Sequence, residues 1–347
     1  MSSGRPDRPA RDGRRKAAVM HDVARLAGVS HQTVSRVING APHVRAETRT
    51  RVLAAMEKLD YRPNPVARAL VTGRSRTLGV VTFDTTLFGP ASTLVGIERA
   101  AHATGYFVSI VCLEALNRRA VLRAVERLRV LGVAGVLMIV PNAAAVAALW
   151  DLPADLPVVA VEAGPPDGVP VVTVDQHAGA RAATEHLLAL GHTTVHHLAG
   201  PESWTEAQDR VAGWQAALEA AGAPGYAPLR GDWSPRSGYE LGKRLLDAPQ
   251  LSAVFAANDQ MALGLLRLLH EHGRSVPGDV SVVGFDDIPE AAYLMPPLTT
   301  MRQDFNAMGE RSLHLLLEEL VAGVRSDRRV TVPAMLVERA STAPPKR

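Results

Sequence analysis

The chain has 347 residues, 47% of them hydrophobic and 21% charged, with a formal net charge of +3. That length exceeds one compact core, that composition excludes wholesale disorder, and no run of about 18 apolar residues is present to span a membrane. The charge is unevenly placed: residues 1–77 hold 16 Lys/Arg against 6 Asp/Glu (+10), and the remainder holds 22 against 29 (−7), so the basic part alone calls for an anionic partner, most simply nucleic acid.

Residues 1–18 open with "MSSGRPDRPARDGRRK", an Arg/Pro/Gly-rich stretch without an apolar h-region, and are expected to be a disordered basic tail rather than a secretory signal. The single cysteine, Cys112, permits no intrachain disulfide and fits a reducing cytoplasm. Its place in "YFVSIVC" predicts a core filler.

Residues 19–62 read as a small helical head. "MHDVARLAG" predicts a first helix with Val23, Ala24, Leu26 and Ala27 along one face. Gly28 allows a sharp turn, Val29 fills the angle, and Ser30 is placed to cap a second helix by accepting a backbone N–H near Thr33. There Val34, Val37 and Ile38 follow the i, i+3, i+4 spacing and turn inward, leaving His31, Gln32, Ser35, Arg36 and Asn39 outside. A third helix, about Ala46 to Leu59, adds Val52, Leu53, Met56 and Leu59 to the same core. This is the helix-turn-helix pattern, whose second helix enters the major groove. Gln suits adenine, Arg suits guanine, and the Thr33 methyl can touch thymine. The candidate DNA contacts are therefore His31, Gln32, Thr33, Ser35, Arg36 and Asn39, with His43 beyond them.

Residues 63–77 follow. In "YRPNPVARALVTGRS", Asn64 is an N-cap, Pro65 suits the first helical position, and Gly73 can end the helix. About seven residues lie between, too few for a stable isolated helix. Alone the segment reads as a linker. After a helix-turn-helix it reads as a hinge helix that forms when two copies meet on DNA, with Asn64, Ala67 and Leu70 as contacts and Leu70 wedging into the minor groove.

From residue 78 onward, apolar runs alternate with amphipathic segments. "LGVVTF", "YFVSIVC", "AGVLMIV", "PVVAVEA", "VHHLAG", "AVFAAN" and "VSVVGF" read as strands, and "LVGIERAAHATG" and "RAATEHLLALG" as helices. Continuous apolar strands separated by helices predict α/β architecture with parallel sheets covered on both faces, two of them at this length. Ligands then bind outside the carboxyl ends of the strands, in a cleft between lobes. Glu162, Asn258, Asp259, Asp286 and Asp287 stand at such ends, Arg210 opens a helix after "HLAGPESW", and "RGDWS" presents Trp233. Carboxylates and an Arg around a flat aromatic suit a saccharide. Each has a plainer alternative: Asp259 or Asp286 as a helix cap, Trp233 as core. His192, His196 and His197 suggest a metal site only weakly, because the last two are strand neighbours pointing opposite ways. No metal or cofactor is expected. Nor is an enzyme, since no dinucleotide, P-loop or nucleophile-elbow motif is present.

"DVARLAGVSHQTVSRVING" followed by "NPVARAL" resembles the DNA-binding head and hinge of the LacI/GalR family of transcriptional repressors. "GHTTVHHLAGPES", "RVAGW", "GDWSPRSG", "ANDQMALG", "SVVGFDD" and "PPLTTMRQDF" resemble that family's periplasmic-binding-protein-like core, and the similarity runs from about Val19 to Pro344. It implies a two-lobed core over 78–347, one lobe of about 78–175 and 303–332 and the other of about 176–302 and 333–345. It implies effector contacts at Leu87, Pro90 and Glu162 on one side and at Arg210, Trp233, Asn258, Asp286, Gln303 and Phe305 on the other. Departures are Arg45, where the family has a capping Ser, a Glu rather than Asp at Glu162, and Trp204 and Val174, where a galactoside-responsive relative has Ser and Phe. The expected function is a cytoplasmic repressor released from a pseudo-palindromic operator by a small sugar, best a galactoside such as a lactose-derived inducer. The chain ends at "STAPPKR" without the leucine-repeat helix of a tetrameric relative, so a homodimer is expected. The alternative is a sugar-binding receptor with no role in gene regulation.

Overall fold

The structure is a computed structural model and describes residues 18–39, 41, 43–62, 75–115, 117–141, 143–162 and 168–346. The chain divides into two units, one up to residue 74 and one from residue 75. Asn64, Ala67 and Leu70 lie outside the described residues.

In the first unit, α1 (Met20–Ala27), α2 (His31–Ile38) and α3 (Ala46–Lys58) enclose a core of Val23, Ala24, Ala27, Val34, Val37, Val52 and Ala55. Gly28 ends α1 in the left-handed region at φ 65°, which a residue without Cβ adopts freely. The Ser30 hydroxyl accepts the Thr33 backbone N–H at 3.2 Å and caps α2. Arg45 stands at the N-cap of α3 with no side-chain cap bond. Two expected core residues face outward instead, Leu26 (45% exposed) and Leu53 (52%). Three short helices have room for few inward positions, and small alanines take the closest ones.

The second unit contains two six-stranded sheets. Its first lobe holds β1 (Thr77–Phe83), α4 (Phe88–Ala103), β2 (Phe107–Leu113), α5 (Arg118–Val130), β3 (Val136–Ile139), the short α6 (Ala143–Val146), β4 (Val158–Val161) and β5 (Val171–Val174). Its second lobe holds α7 (Gln176–Ala189), β6 (His196–Ala199), α8 (Thr205–Ala221), β7 (Leu229–Arg230), α9 (Pro235–Leu246), β8 (Ala253–Ala256), α10 (Asp259–Glu271), β9 (Ser281–Asp286) and β10 (Thr299–Arg302). The chain then returns to the first lobe for α11 (Phe305–Ala322) and β11 (Arg329–Val332), and ends in the second with β12 (Met335–Val337). The strand orders are β11-β5-β4-β3-β1-β2, all parallel, and β12-β10-β9-β8-β6-β7, parallel except for β12. Fully buried runs such as "VVAV" in β4 and "AVFA" in β8 are what a sheet covered on both faces demands.

The backbone crosses between lobes three times, at 174–176, 302–305 and 332–335. Because every strand of the first sheet runs the same way, the two crossings that leave it sit at its carboxyl edge, beside Glu162.

Cys112 is exposed and is not a core filler. β2 is an edge strand, so its outer neighbours Phe107 (65% exposed) and Ile110 (49%) are uncovered too. A continuous apolar run reads the same at the centre and the edge of a sheet. The strands β5, β7, β10, β11 and β12 extend beyond the seven read from the sequence. All five are short, between two and four residues.

Candidate functional site

In the first unit, His31, Gln32, Arg36 and His43 are exposed and Thr33, Ser35 and Asn39 are half-buried. None of these side chains is held in the three-helix core. Their local bonds stay on the α2 surface: the Ser30 and Thr33 hydroxyls lie 2.9 Å apart, and Asn39 Nδ2 donates to Ser35 Oγ at 3.4 Å. The face is thus polar and open, with guanidinium, amide and imidazole groups presented together.

In the second unit, all nine residues expected at the effector cleft line one cavity between the lobes. Strand termini place most of them, and Phe305 comes from the first lobe, at the start of α11, on the same side as Glu162 rather than opposite it. Glu162 follows β4, Trp233 follows β7, Asn258 follows β8, and Asp286 ends β9. Arg210 does not open its helix; it lies in the second turn of α8 and points back to the cleft. Of seven non-glycine residues with positive φ among the described residues, three line this cavity: Glu162 (56°), Trp233 (72°) and Asp286 (113°). Such conformations cost about 1–3 kcal/mol each and persist where the surroundings over-determine them.

The surroundings are a bonded chain that spans both lobes. Arg210 Nε donates to Gln176 Oε1 at 2.8 Å and Nη1 to the Ala257 carbonyl, while Nη2 stands 3.8 Å from Asp286 Oδ1. Gln303 Nε2 donates to Asp286 Oδ1 at 2.6 Å. Gln176 Nε2 donates to Gln303 Oε1 at 3.1 Å and reaches Glu162 Oε2 at 3.5 Å. The Arg210 guanidinium also lies 3.8 Å from the Phe285 ring centroid and 5.5 Å from that of Trp233. Burial raises the Asp286 carboxyl to about 6, with Arg210 opposing the rise. Burial likewise raises Glu162 to about 7, against the pull of Arg210 and of Gln176.

Aromatic rings close the rest. Trp204 and Trp233 meet edge to face at 5.6 Å, as do Phe88 and Phe305. Gly200, just past β6, makes room for Trp233: a Cβ there would lie 2.2 Å from the ring. Gly96 on α4 does the same for α11, since its Cβ would fall 2.2 Å from the Phe305 carbonyl oxygen. The Thr205 N–H donates to the Pro141 carbonyl at 3.0 Å, and Leu87 and Phe88 pack against the core of the opposite lobe. The lobes are drawn together.

The alternatives for single residues resolve. Asn258, not Asp259, caps α10, accepting the Met261 N–H at 2.9 Å. Asp259 lies behind the cleft, accepting from the Ile288 N–H and the Thr300 hydroxyl. Trp233 is both 6% exposed and part of the cavity wall. His192, His196 and His197 are each bonded to local carbonyl or hydroxyl groups. Burial holds His197 down at about 3, so it is neutral. No group of three metal-ligating side chains occurs among the described residues. No helix among them is long and apolar enough to cross a membrane. Eight of the eighteen lining residues escaped the sequence reading, Gln176, Phe88 and Glu206 among them. Gln176 follows a strand, "VVTV", too short to notice, and Phe88 and Glu206 sit at helix starts that carry no distinctive pattern. Trp204 lines the cavity, whereas Val174 belongs to the core of the first lobe.

Residues 19–64 match the family described as bacterial regulatory proteins, lacI family, and residues 184–342 match a periplasmic binding protein-like domain. The chain is 37% identical over 335 residues to the lactose operon repressor of Escherichia coli K12, covering 95% of this chain and 92% of that one. It is 32% identical over 329 residues to the ribose operon repressor of the same strain, covering 93% and 99%. Among solved structures, the lac repressor dimer bound to operator and the anti-inducer ONPF superposes with a TM-score of 0.85 at 36% identity, covering 94% of this chain and all of that one. These relatives are repressors rather than enzymes. An open polar helix in a three-helix head, two largely parallel sheets flanking a cleft, and similarity along nearly the whole chain agree: the chain belongs to the LacI family of bacterial regulatory proteins.

Proposed function

We propose that the protein is a cytoplasmic homodimeric repressor that binds a pseudo-palindromic operator and leaves it when a galactoside fills the cleft. The observation that carries the reading is the bonded chain Glu162–Gln176–Arg210 with Gln303–Asp286, which lines one cavity and ties both lobes to it. In this reading His31, Gln32, Thr33, Ser35, Arg36, Asn39 and His43 meet DNA, and residues 63–77 form the hinge, with Asn64, Ala67 and Leu70 at the minor groove. The parts correspond to 1–18, 19–62, 63–77 and the core from 78. Half-sites stand about one helical turn apart. Arg210 and Asp286 take sugar hydroxyls by charge-assisted bonds, and Trp233 and Phe305 offer faces to the ring. The lactose operon repressor, as a relative, supports the galactoside; the ribose operon repressor shows that the family name alone does not fix the sugar.

The test is an operator-shift assay with the full chain and a panel of galactosides and glucosides. Release by galactosides alone is the expected result. Specific DNA binding that no saccharide alters would remove the effector role. Saccharide binding without preference for any duplex would leave the receptor alternative. Leu70→Ala should weaken operator binding far more than sugar binding; equal losses would remove the hinge role.

A further inference from the structure

Buried polar atoms in folded proteins nearly always have partners. Three atoms in this cavity wall have none: Glu162 Oε1, Glu206 Oε2 and Trp233 Nε1. Their residues are only 8%, 9% and 6% exposed. Two open acceptors and one open donor describe a ligand that mainly donates.

The charges point the same way. Among the described lining residues Arg210 is the one cation, facing the carboxylates Glu162, Glu206 and Asp286. Its bonds go to Gln176 and Ala257 and its nearest carboxylate is Asp286, so Glu162 and Glu206 are left without a bonded cation.

We propose that Glu206 is a specificity-determining residue: with Glu162 it forms a two-carboxylate subsite that favours an effector bearing an ammonium group, as in an amino sugar, over the same saccharide with a hydroxyl, and rejects a carboxylate there. The inference rests on the saccharide reading of the cleft. Burial first, and then the charge of Glu162, hold Glu206 well above the usual carboxylate range, and Arg210 and Asp209 on its own helix act in opposite senses. Burial and mutual repulsion thus favour a proton on the pair, and an ammonium beside the two carboxylates displaces it. Glu206 also stands in the first turn of α8, where an acid favours the helix dipole. That role neither requires burial nor leaves an oxygen without a partner, and it would not alter ligand preference.

The experiment is titration calorimetry of the full chain with galactose, galactosamine, 6-amino-6-deoxygalactose and galacturonate. At least one amino sugar should bind about tenfold more tightly than galactose, and galacturonate about tenfold more weakly. Glu206→Gln should compress both gaps to about threefold or less, Glu206→Asp should restore part of them, and Glu162→Gln should mimic the loss. Repeating the titration in buffers of different ionisation enthalpy should show proton release with the amino sugar and none with galactose. That measurement needs no variant and decides the matter if the variants fail to fold. Equal affinities, or an order unchanged in a folded Glu206→Gln, would overturn the inference while leaving the galactoside reading in place. Failure of every saccharide to bind would overturn both.

Discussion

The two lobes share an architecture and divide the labour unequally. Each is a six-stranded sheet. Yet, among the described residues, the second lobe supplies Arg210, Glu206, Asp286, Asn258 and Trp233 to the cleft, while the first supplies one charged side chain, Glu162, among Leu87, Phe88, Pro90 and Ile139. Directional bonds and strained φ angles concentrate on the second lobe, where Trp233 and Asp286 are fixed. Apolar contact dominates the first. In the proposed reading one side orients a ligand and the other covers it. Apolar contact is indifferent to direction, so the covering lobe can approach and withdraw at little directional cost.

The strongest way to break this division is Arg210→Ala. It removes the only cation among the described lining residues and strands Asp286, a loss of about 3–5 kcal/mol for a buried pair broken on one side. Operator should then stay bound at saturating galactoside in a shift assay, and a variant that still responds would remove Arg210 from the site. Next in size is Gly200→Ala. The added methyl meets the Trp233 ring, and overpacking of this kind costs about 1–3 kcal/mol. Sugar affinity should fall with it, while changes in Trp fluorescence report the displaced ring. Phe88→Ala, on the covering lobe, should cost less: the edge-to-face contact with Phe305 is worth about 0.5–1.5 kcal/mol beyond buried area. Calorimetry should show sugar binding weakened about tenfold or less, and a larger loss than that of Arg210→Ala would reverse the assignment of roles.

The smallest effect concerns pH. Glu162 and Asp286 are raised in the fold, to about 7 and about 6, so between the ordinary carboxylate range and those values the folded chain holds more protons than the unfolded one. Stability then falls as pH rises through that window and levels off above it. Thermal unfolding from pH 4.5 to 8 should show this slope, shallower in Glu162→Gln; an unchanged slope would mean that Glu162 is already ionised in the fold.

Much of this is legible in the sequence. The Ser30 cap, the inward Val34 and Val37, and the parallel sheets follow from local chemistry and periodicity, and they are present. Residues at the ends of recognisable strands could be nominated, because in this architecture strand ends converge. Gln176 and Glu206 could not. Their importance comes from neighbours distant in sequence: Gln176 bonds to Gln303, 127 positions away, and Glu206 lines a cavity with Leu87, Ile139 and Glu162 of the opposite lobe. Cys112, Leu26 and Leu53 show the converse error. Apolar character predicts burial only when something covers the residue, and coverage is a property of the assembled fold.

The three crossings have a mechanical consequence. They form an axle at the carboxyl edge of the first sheet, and Gln176 and Gln303, which bond across it, also face the cavity. A molecule in the cavity thus grips the axle itself. β1 begins at Thr77 on the far edge, seven residues and about 23 Å away. A turn of about ten degrees about the axle would swing Thr77 through about 4 Å, enough to carry a small adjustment around a sugar to the point where the chain departs for its basic head.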